Sequence, residues 1–216
     1  MTVALVGAGP GDPGLITVRG LELLRGCDAV VYDRLVAPEL VEETSLDALR
    51  IPRDGLEQRE IDALLVALGR QGLDVVRLKG GDPYVFGRGG EEALALAEAG
   101  VPFEVVPGVS SISAVPALAG IPVTHRGVAD RVTIATAHAA DGSSPDYASL
   151  AAAGGTLVLF MGLGRLRELA AGLIGAGMAA ATPAGVVARG TLPDQEVVTA
   201  PLEEIAEAAD GLPGPA

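Results

Sequence analysis

The chain has 216 residues, enough for one large domain or two small ones. Twenty-eight acidic residues against 15 basic ones give a formal net charge of -13, which argues against a general nucleic-acid surface but leaves room for a local cluster of cations. No apolar run approaches a membrane span, no basic-then-apolar leader pattern opens the chain, and the single cysteine, Cys27, excludes an internal disulfide, so the expectation is a cytoplasmic protein with no membrane partner.

Thr2-Val3-Ala4-Leu5-Val6 is a nearly continuous apolar run, the pattern of a buried parallel strand. Gly7-Ala8-Gly9-Pro10-Gly11-Asp12-Pro13-Gly14 follows, and a helix is expected over residues 17–25 with Thr17 as its N-cap. The spacing suggests a dinucleotide-binding G-x-G-x-x-G turn. However, Asp12 holds the third glycine position, and Pro10 and Pro13 remove amides and delay the helix, so that reading is disfavoured. Residues 28–33 form a second strand ending in Asp33, which either faces a ligand from the carboxyl end of the sheet or caps the next turn. A helical pattern over residues 35–49 is interrupted by Pro38, residues 51–55 read as a turn, and Ile61, Leu64, Leu65 and Leu68 mark an amphipathic helix over residues 57–68.

Residues 73–76 are apolar and lead into Arg77-Leu78-Lys79-Gly80-Gly81-Asp82-Pro83-Tyr84-Val85-Phe86-Gly87-Arg88-Gly89-Gly90-Glu91-Glu92. This reads as strand, glycine loop and then a helix over residues 91–99. Lys79 is the only lysine in the chain. A further strand from residue 101 enters Pro107-Gly108, and Ser110 and Ser111 behind it serve either as a helix N-cap or as ligand-binding hydroxyls. A helix is expected over residues 113–118, and the pattern breaks over residues 120–127. The domain boundary is expected near residues 109–120, giving an N-terminal domain over residues 1–109 and a C-terminal one over residues 110–216. The second half repeats the alternation: strands over residues 131–137 and 155–161, a helix over 166–176, a strand over 182–188 entering Arg189-Gly190, a strand over 196–199 and a helix over 202–209. Strands alternating with helices mean an α/β protein with mainly parallel sheets.

Five motifs occur in a telling order: Val6-Gly7-Ala8-Gly9-Pro10-Gly11-Asp12-Pro13, Val30-Val31-Tyr32-Asp33-Arg34-Leu35, the run from 77 to 92, Val106-Pro107-Gly108, and Gly120 through Arg126 with its Thr124-His125-Arg126. Together they closely resemble uroporphyrinogen-III C-methyltransferases, members of the tetrapyrrole (class III) methylase superfamily, over nearly the whole chain. The resemblance implies two αβα domains with a cofactor cleft between them, the first on the tetrapyrrole side and the second on the cofactor side, in a homodimer. The implied cofactor is S-adenosyl-L-methionine, leaving as S-adenosyl-L-homocysteine, with contacts at Pro10, Gly80, Gly81, Asp82, Val85, Ser110, Ser111, Met161 and Gly190. No metal is implied. The implied reaction methylates rings A and B of uroporphyrinogen III, gives precorrin-2, and serves cobalamin or sirohaem biosynthesis. Asp33 takes the family's general-base position. The substrate is a polycarboxylate, so Arg34, Lys79, Arg88 and Arg126 are candidates for its basic rim, with Arg131 in reserve.

Two departures stand out. The family's expected proton-donating lysine is here nearest to Arg53, in a shorter loop without the usual histidine, and Asp62 replaces an asparagine. Arginine pairs well with carboxylates but is a poor proton donor. The family also closes its second sheet with one more apolar strand than this sequence supplies. A sister precorrin methyltransferase and a paralogue that binds cofactor or tetrapyrrole without turnover remain alternative readings.

Overall fold

A computed structural model describes residues 2–137 and 143–214. The chain divides into two compact units, Met1–Ser111 and Ile112–Ala216.

The first unit is built on five parallel strands, β1 (Val3–Gly7), β2 (Ala29–Tyr32), β3 (Leu49–Pro52), β4 (Val75–Lys79) and β5 (Phe103–Val106), in the order β3-β2-β4-β1-β5. Val3 of β1 lies opposite Val75 and Phe103, and Ala29 opposite Val75 and Leu49, so the register is even across the sheet. Side chains alternate between faces along a strand. Ala4, Val6, Val30, Val76 and Leu78 point to one face and pack with Leu24 of α1 (Val18–Gly26) and Leu40 of α2 (Pro38–Glu42). Val3, Leu5, Ala29, Val31 and Val75 point to the other and pack with Ile61, Leu65 and Leu68 of α3 (Gln58–Arg70) and Leu96 of α4 (Gly89–Glu98). Both faces are covered, which is why the central strands read as unbroken apolar runs. Arg77 and Lys79 share the parity of Val75, so two cations enter the α3/α4 layer.

Local chemistry sets the helix ends. The Thr17 hydroxyl accepts from the Gly20 amide at 3.1 Å, the expected N-cap. Glu57 and Glu60 form a reciprocal capping box at the start of α3. Two expectations are corrected. The helical pattern over residues 35–49 yields only the short α2, and Pro38 begins that helix, where a missing amide costs nothing, instead of breaking one. The turn expected over residues 51–55 starts later, because Leu49–Pro52 pair with β2 as an edge strand, and an edge tolerates Pro52.

The second unit contains α5 (Ser111–Leu118, its first residue in the first unit), β6 (Val132–Thr136), α6 (Tyr147–Ala152), β7 (Thr156–Phe160), α7 (Leu166–Gly175), β8 (Pro183–Ala188), β9 (Glu196–Pro201) and the short α8 (Ile205–Ala208). β6 and β7 are parallel, and β8 and β9, which no helix separates, form an antiparallel hairpin within an otherwise parallel protein. Its core gathers Ala170, Leu173, Leu202 and Ile205 with Leu157, Leu159 and Val186. Among the described residues, no helix is long and apolar enough to cross a membrane.

Candidate active site

The carboxyl ends of β1, β4 and β5 meet through glycines. A side chain on Gly7 or Gly108 would collide with the other's backbone and with the Gly81 carbonyl, so three chain segments cross here at backbone contact. Gly9 and Gly81 exchange backbone hydrogen bonds, 2.7 Å from the Gly81 amide and 3.3 Å from the Gly9 amide. Gly81 adopts φ +66°, a conformation that favours glycine. Asp82 straps the crossing together: Oδ1 accepts from the Tyr84 amide at 2.9 Å and Oδ2 from the Gly108 amide at 3.0 Å. The outer side of this ledge is open. A Cβ built on Gly80 meets nothing nearer than Leu35 at 3.9 Å, and one on Gly81 nothing nearer than Ser111 Oγ at 3.9 Å. Gly9 brings the adjoining, half-buried Pro10 to the same place.

Asp33 follows β2 and sits over a buried charge cluster. Its Oδ1 accepts from Arg77 Nη2 at 2.5 Å, Arg53 Nη1 lies 3.8 Å from the same oxygen, and Lys79 Nζ lies 4.0 Å from Oδ2. Arg77 is fully buried and spends its other donors on Glu92 Oε1 (3.0 Å), the Val31 carbonyl (3.3 Å) and the Leu78 carbonyl (3.2 Å). Lys79 donates to Glu92 Oε1 at 2.9 Å, and Gln58 Nε2 reaches the same oxygen at 3.3 Å. Burial, and then the neighbouring Arg77 charge, pull the Lys79 ammonium below the usual lysine value, while Glu92 and Asp33 hold it up. Glu92 Oε2 and Gln58 Oε1 are buried without a hydrogen-bond partner.

Lys79 is therefore not on the basic rim where the sequence placed it: it is 1% exposed and ion-paired beneath Asp33. The α3/α4 parity of β4 gives the reason. Arg34 and Arg88 are exposed, as expected of rim cations, and Arg88 is held by a two-pronged bond to Glu91 (2.8 and 2.7 Å). Val85 is half-buried in the glycine loop, its amide bonded to the Asp82 carbonyl at 3.2 Å. Ser111 opens α5, and Ser110 precedes it.

Met161, Gly190 and Arg126 belong to the second unit. Arg126 is exposed in a turn closed by the His125–Ala129 bridge, and Arg131, further along, pairs with Asp130 at 3.3 Å. Met161 follows β7, is 48% exposed and has φ +58°. Gly190 follows β8, and a Cβ there would press on Val115 at 2.6 Å, so packing alone already demands glycine. Among the described residues, the non-glycine positions with positive φ are Phe86, Arg88, Met161, Arg189 and Thr191. Each is, or adjoins, a residue selected from the sequence. Such strain persists where surrounding structure over-determines it and gathers at functional sites. The sequence reading missed Glu92 and Gln58. Their signal was the Arg77/Lys79 alternation within an apolar strand, which demands a buried anion nearby.

The family model for tetrapyrrole (corrin/porphyrin) methylases matches residues 2–206. Siroheme synthase 1 of Yersinia enterocolitica is 49% identical over 99% of this chain and 47% of its own length, and the siroheme synthase of Sodalis glossinidius is 48% identical over the same shares. The chain thus spans about half the length of these curated relatives. Among solved structures, a uroporphyrin-III C-methyltransferase from Thermus thermophilus, complexed with S-adenosyl homocysteine, is 40% identical with a TM-score of 0.88, covering 100% of this chain and 94% of that one. A cobalt precorrin-4 methyltransferase, CbiF, is 32% identical with a TM-score of 0.88, covering 96% and 88%.

Proposed function

The chain belongs to the tetrapyrrole (corrin/porphyrin) methylase family, and from that premise we propose that it methylates uroporphyrinogen III at rings A and B, using S-adenosyl-L-methionine, to give precorrin-2 for sirohaem or cobalamin biosynthesis. The observation that carries the reading is the whole-chain likeness to the Thermus uroporphyrin-III C-methyltransferase, itself solved with the demethylated cofactor. The same proposal makes the chain a homodimer of the cytoplasm, where the solitary free Cys27 stays reduced.

The residues present fit the cofactor. A Cβ added to Gly80 or Gly81 would meet no described atom nearer than 3.9 Å, so the backbone of the ledge can be approached. Gly80, Gly81, Val85, Pro10, Ser110 and Ser111 would hold the cofactor from this unit. Asp82 has both oxygens bound to amides, so it acts first by fixing the ledge, and a carboxylate's remaining lone pairs are left for an ammonium. When bound, S-adenosyl-L-methionine supplies a methyl group already activated on a sulfonium.

The chain's own work is then to orient the tetrapyrrole and remove a proton from it. Asp33 takes that proton. Arg77 ties down Oδ1, which aims the carboxylate and leaves Oδ2 as the oxygen with fewer partners. Arg53 stands beside it as a permanent cation that pairs with carboxylates and donates no proton. Arg34, Arg88 and Arg126 are exposed for the substrate's carboxylates.

Anaerobic incubation with uroporphyrinogen III and S-adenosyl-L-methionine tests the reading through the absorbance of precorrin-2. Binding of S-adenosyl-L-homocysteine without methylated product would overturn it in favour of a holding role. In the same assay Asp33→Asn should lower turnover about 10²–10⁴-fold, the usual contribution of a positioned base, and unchanged turnover would remove Asp33 from that role.

A further inference from the structure

Glu92 lies outside the proposed chemistry, yet it is densely bonded. It is fully buried at the start of α4 and takes three donors on one oxygen: Lys79 Nζ at 2.9 Å, Arg77 Nε at 3.0 Å and Gln58 Nε2 at 3.3 Å. Two of those donors also serve Asp33, Arg77 by a direct bond and Lys79 from 4.0 Å. Stability alone does not call for such a cluster, since buried ion pairs are often replaced by apolar residues at no loss. We propose that Glu92 is a positioning residue of the methyl transfer, fixing the Arg77 and Lys79 side chains against Asp33. This rests on the reading of Asp33 as the base.

The geometry makes a two-sided balance. Arg77 and Lys79 stand between two carboxylates, Glu92 below and Asp33 at the surface end, with Arg53 as a further cation beside Asp33. The remaining charges near Lys79 are engaged elsewhere: Glu91 with Arg88, and Asp62 with Gln58 Nε2 at 2.9 Å. Glu92 is thus the only fully buried anion in contact with the ammonium among the described residues. Without its charge, burial and Arg77 act on Lys79 with only Asp33 in opposition, and the amine becomes neutral at lower pH. Asp33 then loses one of the cations that hold it in place.

Because Lys79 is the only lysine, carbon-13 lysine labelling gives one side-chain amine signal to titrate. Glu92→Gln is the variant of choice. Its amide oxygen still accepts from Arg77 and Lys79, and its NH₂ offers a donor beside the unpartnered Gln58 Oε1. The Lys79 midpoint should fall by about one to two pH units, the size of a close charge effect. kcat should fall by about tenfold or more with KM for uroporphyrinogen III within about twofold, because a group that touches no substrate acts on the reacting geometry. The alkaline limb of kcat should move down with the Lys79 midpoint, and Glu92→Asp should restore much of both. An unmoved midpoint, or an unchanged kcat per folded molecule, would overturn the proposal. Should Glu92→Gln fail to fold, Lys79→Met tests the same point: kcat falls and the alkaline limb disappears, and a limb that persists sinks the idea. Asp33→Asn keeps the two readings apart. Full turnover there removes the base, whereas inactive Asp33→Asn with fully active Glu92→Gln removes only the positioning role.

Discussion

Replacing Arg77 by methionine removes the centre of the buried cluster at nearly constant volume. Four hydrogen bonds are lost, two to carboxylates and two to carbonyls. Bonds to charged groups are worth about 1.5–3 kcal/mol and neutral ones about 0.5–1.5 kcal/mol. Two features moderate the sum. Asp33 is 22% exposed and regains water, and the Leu78 carbonyl keeps its bond from the Asp33 amide at 3.2 Å. Glu92 regains no water, being fully buried, but keeps Lys79 and Gln58 on the same oxygen, so its cost falls short of the roughly 3–5 kcal/mol of a wholly unpaired buried charge. A loss of about 3 kcal/mol follows, at the lower end of that range. In urea, with a slope of about 2–3 kcal/mol per molar, the midpoint should drop by about 1–1.5 M. Removing Glu92 as well, as Arg77→Met/Glu92→Met, also takes from Lys79 its buried partner, and because the three groups share one cluster the double loss should fall short of the two single losses added by about 0.5–3 kcal/mol. A single-variant loss below about 1 kcal/mol, or a double loss equal to the sum of the Arg77→Met and Glu92→Met losses, would refute the view that Arg77 is held by charge pairing.

The glycine crossing gives a second test: Gly108→Ala forces a Cβ into the Gly81 carbonyl and should cost about 1–3 kcal/mol or more, with weaker S-adenosyl-L-homocysteine binding by calorimetry. Gly26→Ala, in open space at the end of α1, should be neutral or stabilising by up to about 1 kcal/mol and serves as the control. Burial pushes the Cys27 thiol up to about 11, so a thiol reagent at pH 8 should leave the folded chain unlabelled and react fully in urea. In the second unit, the Arg165 fork on Glu168 lowers that carboxyl to about 2. A depressed acid stabilises above its unfolded value of 4.5 and loses that contribution as pH falls towards 2. The stability gap between the native chain and Glu168→Gln should therefore close across that window.

Much of the first unit was legible because its strands are buried on both faces and announce themselves as short apolar runs. The Thr17 cap and the boundaries of α3 and α4 followed from local chemistry within a residue or two. Pro38 was misjudged because proline has opposite meanings at the first and at an interior helical position, and only the fold says which applies. The antiparallel pairing of β8 with β9 was not legible, because these strands are half-exposed and carry no sign of direction. At the candidate site, the strand-end position of Asp33 and the turn at Gly80-Gly81-Asp82 were legible because glycines and strand-end acids signal position directly. Lys79 could not be placed, since a charge near a glycine loop looks alike whether it faces solvent or a helix. Strand parity, counted from Val75, carried that information, and it needed Glu92 of α4 as a partner before it could be read.

The burial of Lys79 also gives the chain an internal clock. Reagents that acylate amines find no other lysine, and in the folded state this one is 1% exposed. Its modification must wait until β4 and α4 separate locally, so the rate measures the population of that opened state when reclosing is fast. A tetrapyrrole or cofactor that stabilises the closed cluster would slow the labelling in proportion. Read at the peptide that carries Lys79, and so apart from the reactive α-amine, the modification becomes a single-residue report on the ground beneath Asp33.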